Sequence, residues 1–218
     1  MSRPASPSPS PLLAFVSGYV DTAVFVLMGG LFVAHVTGNF VLIGATLTGS
    51  PVSGHGGSTR LQLIAFPVFF VAAMLAAAIA PGIAQAARTR MLLWLVTTIV
   101  IASGVAGVLA DKADAALALA LVAAMGLLNA AQRLDPGMGP PFTVMTGNVT
   151  GLAIAAARGL RLTPRNGEQA TAVAIHPMGV LVAMFALGCA LGALVQAFAG
   201  FGAMLLPGAL LAIWLLVR

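Results

Sequence analysis

Runs of about 20 apolar residues, separated by short polar or Pro/Gly-rich stretches, recur from residue 11 to the end of the chain. A helix of about 20 residues spans roughly 30 Å, the thickness of a bilayer's hydrocarbon core. Several such helices, apolar on every side, have no face to offer water. Only 7% of the 218 residues are charged and 60% are hydrophobic, whereas a soluble domain carries roughly 25% charge. The expected class is an all-α polytopic membrane protein, with the lipid bilayer as its first partner.

The first ten residues, MSRPASPSPS, alternate Ser with Pro and read as a disordered tail (1–10). The apolar sequence behind them is too long for a signal peptide and lacks a clear small-residue cleavage pattern, so it reads as a span that stays. Residues 11–49 are too long for one upright helix. They suit two spans, or one span and a half-helix, with breaks at Gly29-Gly30 and Thr37-Gly38-Asn39. Further spans are expected at 61–80, 91–110, 115–132, 173–197 and 201–217, with a short apolar piece at 143–158.

The chain also repeats itself. His35-Val36-Thr37-Gly38-Asn39 returns as Val144-Met145-Thr146-Gly147-Asn148, 109 residues later in a chain of 218. Gly18 and Asp21 line up with Gly126 and Asn129 at an offset of 108, and Pro67 and Met74 with Pro177 and Met184 at an offset of 110. One membrane domain then contains repeat one, 11–110, and repeat two, 111–218. Charge separates two topologies. Eight full spans, with the N-terminus inside, divide the ten basic residues seven to three. Six spans plus two segments that enter and return divide them eight to two, with only Arg60 and Lys112 outside. The second split obeys the positive-inside bias better. Three spans per repeat invert the second copy, so that matching broken segments meet near the midplane, a known plan for a transport site. The expected fold is six transmembrane helices plus two broken or half-helices in an inverted 3+3 repeat, with both termini cytoplasmic.

The string GYVDTAVFVLMGGLFVAHVTGN, with GLLNAA and VMTGN in the second half, resembles the YoaK-like family of small bacterial membrane proteins, a conserved domain of unknown function. The resemblance covers nearly the whole chain from residue 12, with Thr22 where the family pattern has Ala. It implies a bacterial inner (plasma) membrane location. It supplies no substrate.

Asp21 is the sharpest chemical feature. It lies near the middle of the first span, with no basic residue within a helical turn. A carboxylate at the bilayer centre costs roughly 3 kcal/mol, so such groups face a cavity or a partner. Asp21 reads as a proton or cation site, or as a protonated helix–helix hydrogen bond. Asn129, its repeat counterpart, keeps the shape but cannot ionise, and reads as substrate-binding or as inter-helix bonding. Thr37, Gly38 and Asn39, with Thr146, Gly147 and Asn148, fit helix breaks: Gly lets the backbone leave the helix and Thr or Asn caps the new start. A half-helix N-terminus offers free N–H groups and a positive dipole end to an anion or carbonyl. His35 can relay protons with Asp21, although the spacing of 14 residues does not fix whether they touch. His176 suits an interfacial position, and His55 lies in a Gly-rich loop with no assigned role.

The excess of five positive charges lies in scattered single residues and reads as membrane orientation, not nucleic-acid binding. Three scattered His residues and the lone Cys189 make a poor metal site. Gly188-x-x-x-Gly192 and Gly147-x-x-x-Gly151 read first as internal packing, with a homodimer left open. No P-loop, dinucleotide fingerprint, HExxH or nucleophile elbow is present, so neither an enzyme nor a cofactor is expected. The leading expectation is a secondary transporter of a small polar or anionic solute. The Thr-Gly-Asn pair would form its midplane site, and Asp21 and His35 would couple it to protons. The alternatives are a passive channel and a membrane scaffold without a ligand.

Overall fold

In a computed structural model the chain is helical. The structure describes residues 8–49, 58–79, 82–110, 114–160 and 175–217. The helices are α1 (Ser10–Leu27), α2 (Gly38–Thr46), α3 (Thr59–Ala78), α4 (Gln85–Ala110), α5 (Ala115–Leu134), α6 (Met145–Gly159), α7 (Ile175–Ala199) and α8 (Leu205–Val217). Short 3-10 segments occupy Pro136–Met138 and Gly200–Met204. Among the described residues no strand is present.

Five stretches of the described residues are long and apolar enough to cross a membrane: Ser10–Leu27, Thr59–Ala78, Gln85–Ala110, Ala115–Leu134 and Pro177–Val217. The last takes in both α7 and α8. The chain reverses between them at Gly200, whose φ of 53° is in the left-handed region that suits glycine. Of the two arrangements allowed for 11–49, the structure has one long helix and one short one, α1 and α2, with a non-helical connection from Met28 to Thr37.

Contacts fix the helix directions. Phe15 lies against Gly188 and Tyr19 against Gly192, so α1 and α7 run side by side in the same direction. Both glycines approach the α1 backbone so closely that a Cβ would fall on a carbonyl oxygen, so the Gly188-x-x-x-Gly192 face packs internally. α3 packs along α5 in the same close manner, with Gly126 against the backbone of Phe69. α4 and α8 are antiparallel: Gly107 meets Phe201, Gly104 meets Leu205, and Ile101 meets Gly208. α1 and α5 are the enclosed spans, with 67% and 61% of their apolar windows buried against 28% for α3. They therefore line the interior, while α3 turns mostly outward.

One end of the bundle gathers the starts of α1 and α4 and the ends of α5 and α8. There the Ser10 hydroxyl donates to the Met138 carbonyl at 2.6 Å, and Arg88 and Arg90 donate to the carbonyls of Leu134 (3.1 Å) and Leu215 (3.4 Å). The opposite end gathers the end of α1 and the start of α3, joined by a 2.7 Å bond from Gln62 Nε2 to the Gly30 carbonyl.

α4 begins at Gln85, earlier than the expected 91, so Arg88 and Arg90 are inside the helix. Their long side chains explain this: each extends from the helix to a free carbonyl at a neighbouring helix end, keeping its charge near the rim. Asp135 anchors the same rim, just past α5. Burial pushes its carboxyl up, but hydrogen bonds from Thr89, Gln85 and the Gly137 N–H, with Arg88 nearby, outweigh that and bring it below its ordinary value.

Candidate functional site where two broken segments meet

The first broken segment starts where α1 stops. The Gly30 N–H donates to the Phe25 carbonyl at 2.8 Å and the Gly29 N–H to Val26 at 3.3 Å, the Schellman pattern of helix termination. It needs a left-handed residue, and Gly29 supplies it with φ 65°. The chain then doubles back along its own helix. Its backbone N–H groups have left the helical ladder and need other partners.

Asp21 provides them. Its side chain is buried, and Oδ1 accepts from the N–H groups of Val33 and Ala34, both at 2.7 Å. Oδ2 lies 2.7 Å from His35 Nδ1, a contact that the 14-residue spacing in the sequence left open. Asn39, fully buried, pins the same segment: its Oδ1 accepts from the Phe32 N–H and its Nδ2 donates to the Phe32 carbonyl, each at 2.9 Å.

The second broken segment, between α5 and α6, is held by related residues. Asn148 Nδ2 donates to the Pro141 carbonyl at 2.7 Å. Proline has no N–H, so the two-bond clasp of Asn39 becomes a single bond. Asn129 Oδ1 accepts from the Thr143 hydroxyl at 2.6 Å, while its Nδ2 donates to Met125 within α5 at 2.9 Å. Asp21 and Asn129 thus do the same work in different chemistry, each tying a returning segment to the long helix before it.

The two segments touch at one hydrogen bond, between His35 Nε2 and the Thr143 carbonyl at 3.0 Å. A continuous polar path therefore runs from Asp21 through His35 and Thr143 to Asn129. Its surroundings come from α7: Phe185 meets the His35 imidazole in a T-shaped contact with ring centroids 5.4 Å apart, and Cys189 lies beside Thr22 and Asp21.

The expected caps are absent. Thr37 precedes α2 and Val144 precedes α6, and neither makes a side-chain cap bond. The Asn side chains reach seven residues back, because the returning segments present unpaired backbone groups there. Thr37, Thr146 and Gly147 are exposed, and Gly38 packs on the Phe32 ring, so these four stand outside the polar path. His55 and the side chain of His176 lie outside the described residues.

Thr143 is the participant that the sequence reading missed. One signal was available: with the two Thr-Gly-Asn motifs aligned, Thr143 faces Ala34 of the first copy, a polar residue in an apolar place.

A family model described as a protein of unknown function matches residues 10–217. No curated protein and no solved structure matches the chain.

Proposed function

The chain belongs to this family, DUF1275, the YoaK-like family it resembles in sequence, and from its site we propose a small secondary transporter of the bacterial inner membrane that moves a small polar or anionic solute with proton coupling. The observation that carries the proposal is the Asp21–His35 pair. Two ionisable groups 2.7 Å apart sit inside an apolar helical bundle, at the meeting point of two broken segments. Ionisable groups in such places mark ion or proton pathways. Broken segments at mid-depth are how many transporters build a site.

An inverted 3+3 arrangement draws support from the crossed helix pairs. Gly18 of α1 packs on the Phe185 carbonyl of α7, and Gly126 of α5 on the Phe69 carbonyl of α3. If α1 corresponds to α5, then α7 corresponds to α3, and each first helix embraces the third helix of the other half. On that correspondence the register departs from the sequence expectation. These contacts match Phe69 with Phe185, and hence Ala72 and Ala76 with Gly188 and Gly192. Pro67 with Pro177 and Met74 with Met184 are then not structural equivalents. Counting α7 and α8 separately gives six crossings, with α2 and α6 as half-helices. Their N-termini, carrying Thr37, Gly38 and Asn39 and Thr146, Gly147 and Asn148, would form the solute site with Asn129. A passive channel needs an open path where His35 and Thr143 are instead in hydrogen-bond contact.

The test is a thermal-shift screen of the purified protein against small metabolites and ions, with Asp21→Asn alongside. Solute at 100 times its dissociation constant stabilises by about 2.7 kcal/mol. We expect a stabilising polar or anionic compound whose pH dependence is lost in Asp21→Asn. A well-folded protein that no compound stabilises would favour a scaffold role.

A further inference from the structure

We propose that the Asp21–His35 pair holds one exchangeable proton, and that this proton latches the two broken segments together through the Thr143 carbonyl. The proposal deepens the transporter reading and rests on it for the purpose of the latch, though not for its existence.

The two contacts of His35 fix how many hydrogens the pair must hold. His35 Nε2 lies 3.0 Å from the Thr143 carbonyl oxygen, and a carbonyl only accepts, so Nε2 must carry a hydrogen. Nδ1 lies 2.7 Å from Asp21 Oδ2, and that contact also needs a hydrogen. A neutral imidazole has one N–H. The second hydrogen is therefore either on Nδ1, giving an imidazolium beside a carboxylate, or on Oδ2, giving a carboxylic acid beside a neutral imidazole. Both states hold one proton more than a carboxylate with a neutral histidine.

Loss of that proton leaves one N–H for two acceptors. The carboxylate takes it, because a charge-assisted hydrogen bond is roughly twice as strong as a neutral one. Nδ1–H then faces Asp21, and the bare Nε2 lone pair faces the lone pairs of the Thr143 carbonyl. An attraction between the segments becomes a repulsion. The bond that breaks is N–H or O–H on the pair, and the proton passes to water by way of His35, whose side chain is 29% exposed. Asp21 keeps its bonds to Val33 and Ala34 throughout, so the first segment stays folded and only its contact with the second is switched.

The groups facing the pair are few. From α1 comes Thr22, from α7 Phe185 and the Cys189 thiol, from the second segment Thr143 and, behind it, Asn129 of α5. Tyr19 turns away and donates to the Ala203 carbonyl at 3.0 Å.

The count makes an unusual prediction for Asp21→Asn. The amide oxygen still accepts from Val33 and Ala34, and the amide NH2 donates to Nδ1 of a neutral His35. Nε2–H then remains for Thr143. This variant should stay latched at alkaline pH, where the wild type opens. His35→Phe should be unlatched at every pH.

The experiment is a distance measurement between spin labels at Val41 of α2 and Val149 of α6, 72% and 49% exposed, in a Cys189→Ala background. It needs no solute. We expect two wild-type distance populations across about pH 5 to 8, where histidine ordinarily changes charge. Their ratio should change by up to about tenfold per pH unit, the limit for one proton. Asp21→Asn should hold the latched distance at the alkaline end. Wild-type distances that do not change with pH, or an Asp21→Asn that opens like the wild type, would overturn the latch. If His35→Phe does not fold, Asp21→Asn decides alone. A latch that titrates in a protein that moves no solute would overturn the transporter reading and leave the latch standing.

Discussion

Asp21 has two tasks, and they can be separated. As an acceptor it satisfies the buried N–H groups of Val33 and Ala34, and as an ionisable group it faces His35. Asp21→Ala removes both and leaves two amides without partners, at a cost of about 1–3 kcal/mol each. Asp21→Asn keeps the acceptor oxygen. Thermal melts in detergent should therefore show a large loss for Asp21→Ala and a much smaller one for Asp21→Asn; equal losses would mean the amide bonds contribute little. At this scale the sequence was informative wherever a polar side chain stood out against apolar neighbours, as Asp21, His35, Asn39 and Asn129 do. It carried only a weak signal at Thr143, a polar residue opposite Ala34, because the contact with His35 is made by a backbone carbonyl and side-chain identity does not report which backbone groups a returning segment exposes. It misled on Thr37, because a Thr before a helix reads as a cap whether or not its hydroxyl turns toward the free N–H groups.

Helix pairs in this bundle approach backbone to backbone at their glycines. A Cβ at Gly192 would fall on the Tyr19 carbonyl oxygen, whereas one at Gly44 in α2 would meet nothing within 4 Å. Gly192→Ala must force α1 and α7 apart, an overpacking cost of about 1–3 kcal/mol. Gly44→Ala should gain roughly 0.5–1 kcal/mol from helix propensity alone. Opposite shifts in melting temperature are the expected outcome, and a neutral Gly192→Ala would remove the close-approach argument. The spans were legible because length and apolarity determine them almost unaided. The start of α4 was not, since Arg88 and Arg90 look like loop residues until the carbonyls that receive them are known. Which helix meets which glycine was not legible either, because Gly-x-x-x-Gly spacing marks a small face without naming its partner.

Across the whole molecule, Arg60 belongs to the end where α3 starts, and Arg133 and Arg158 to the end where α5 and α6 finish. Cysteines placed singly at these three exposed positions, in a Cys189→Ala background, should react with an impermeant maleimide from opposite sides of the membrane. Arg60 should label from one side and the other two from the other; labelling of all three from one side would break the inverted arrangement. The proposed repeat draws on two short motifs in the sequence, whereas Pro and Met matches in an apolar chain carry little positional information about its register. The crossed pairing of α1 with α7 and α3 with α5 also bears on how the protein is made. A ribosome delivers α1 well before α7, so the glycine-lined groove between them stays open until α7 has been made. Until then α1 waits in lipid with that face uncovered, which lipid tails tolerate. Its carboxylate need not wait, because Val33, Ala34 and His35 follow directly behind it. The costliest group to leave bare in a bilayer is thus covered by the next stretch of chain to emerge, and the contacts left for last are those that acyl chains can stand in for.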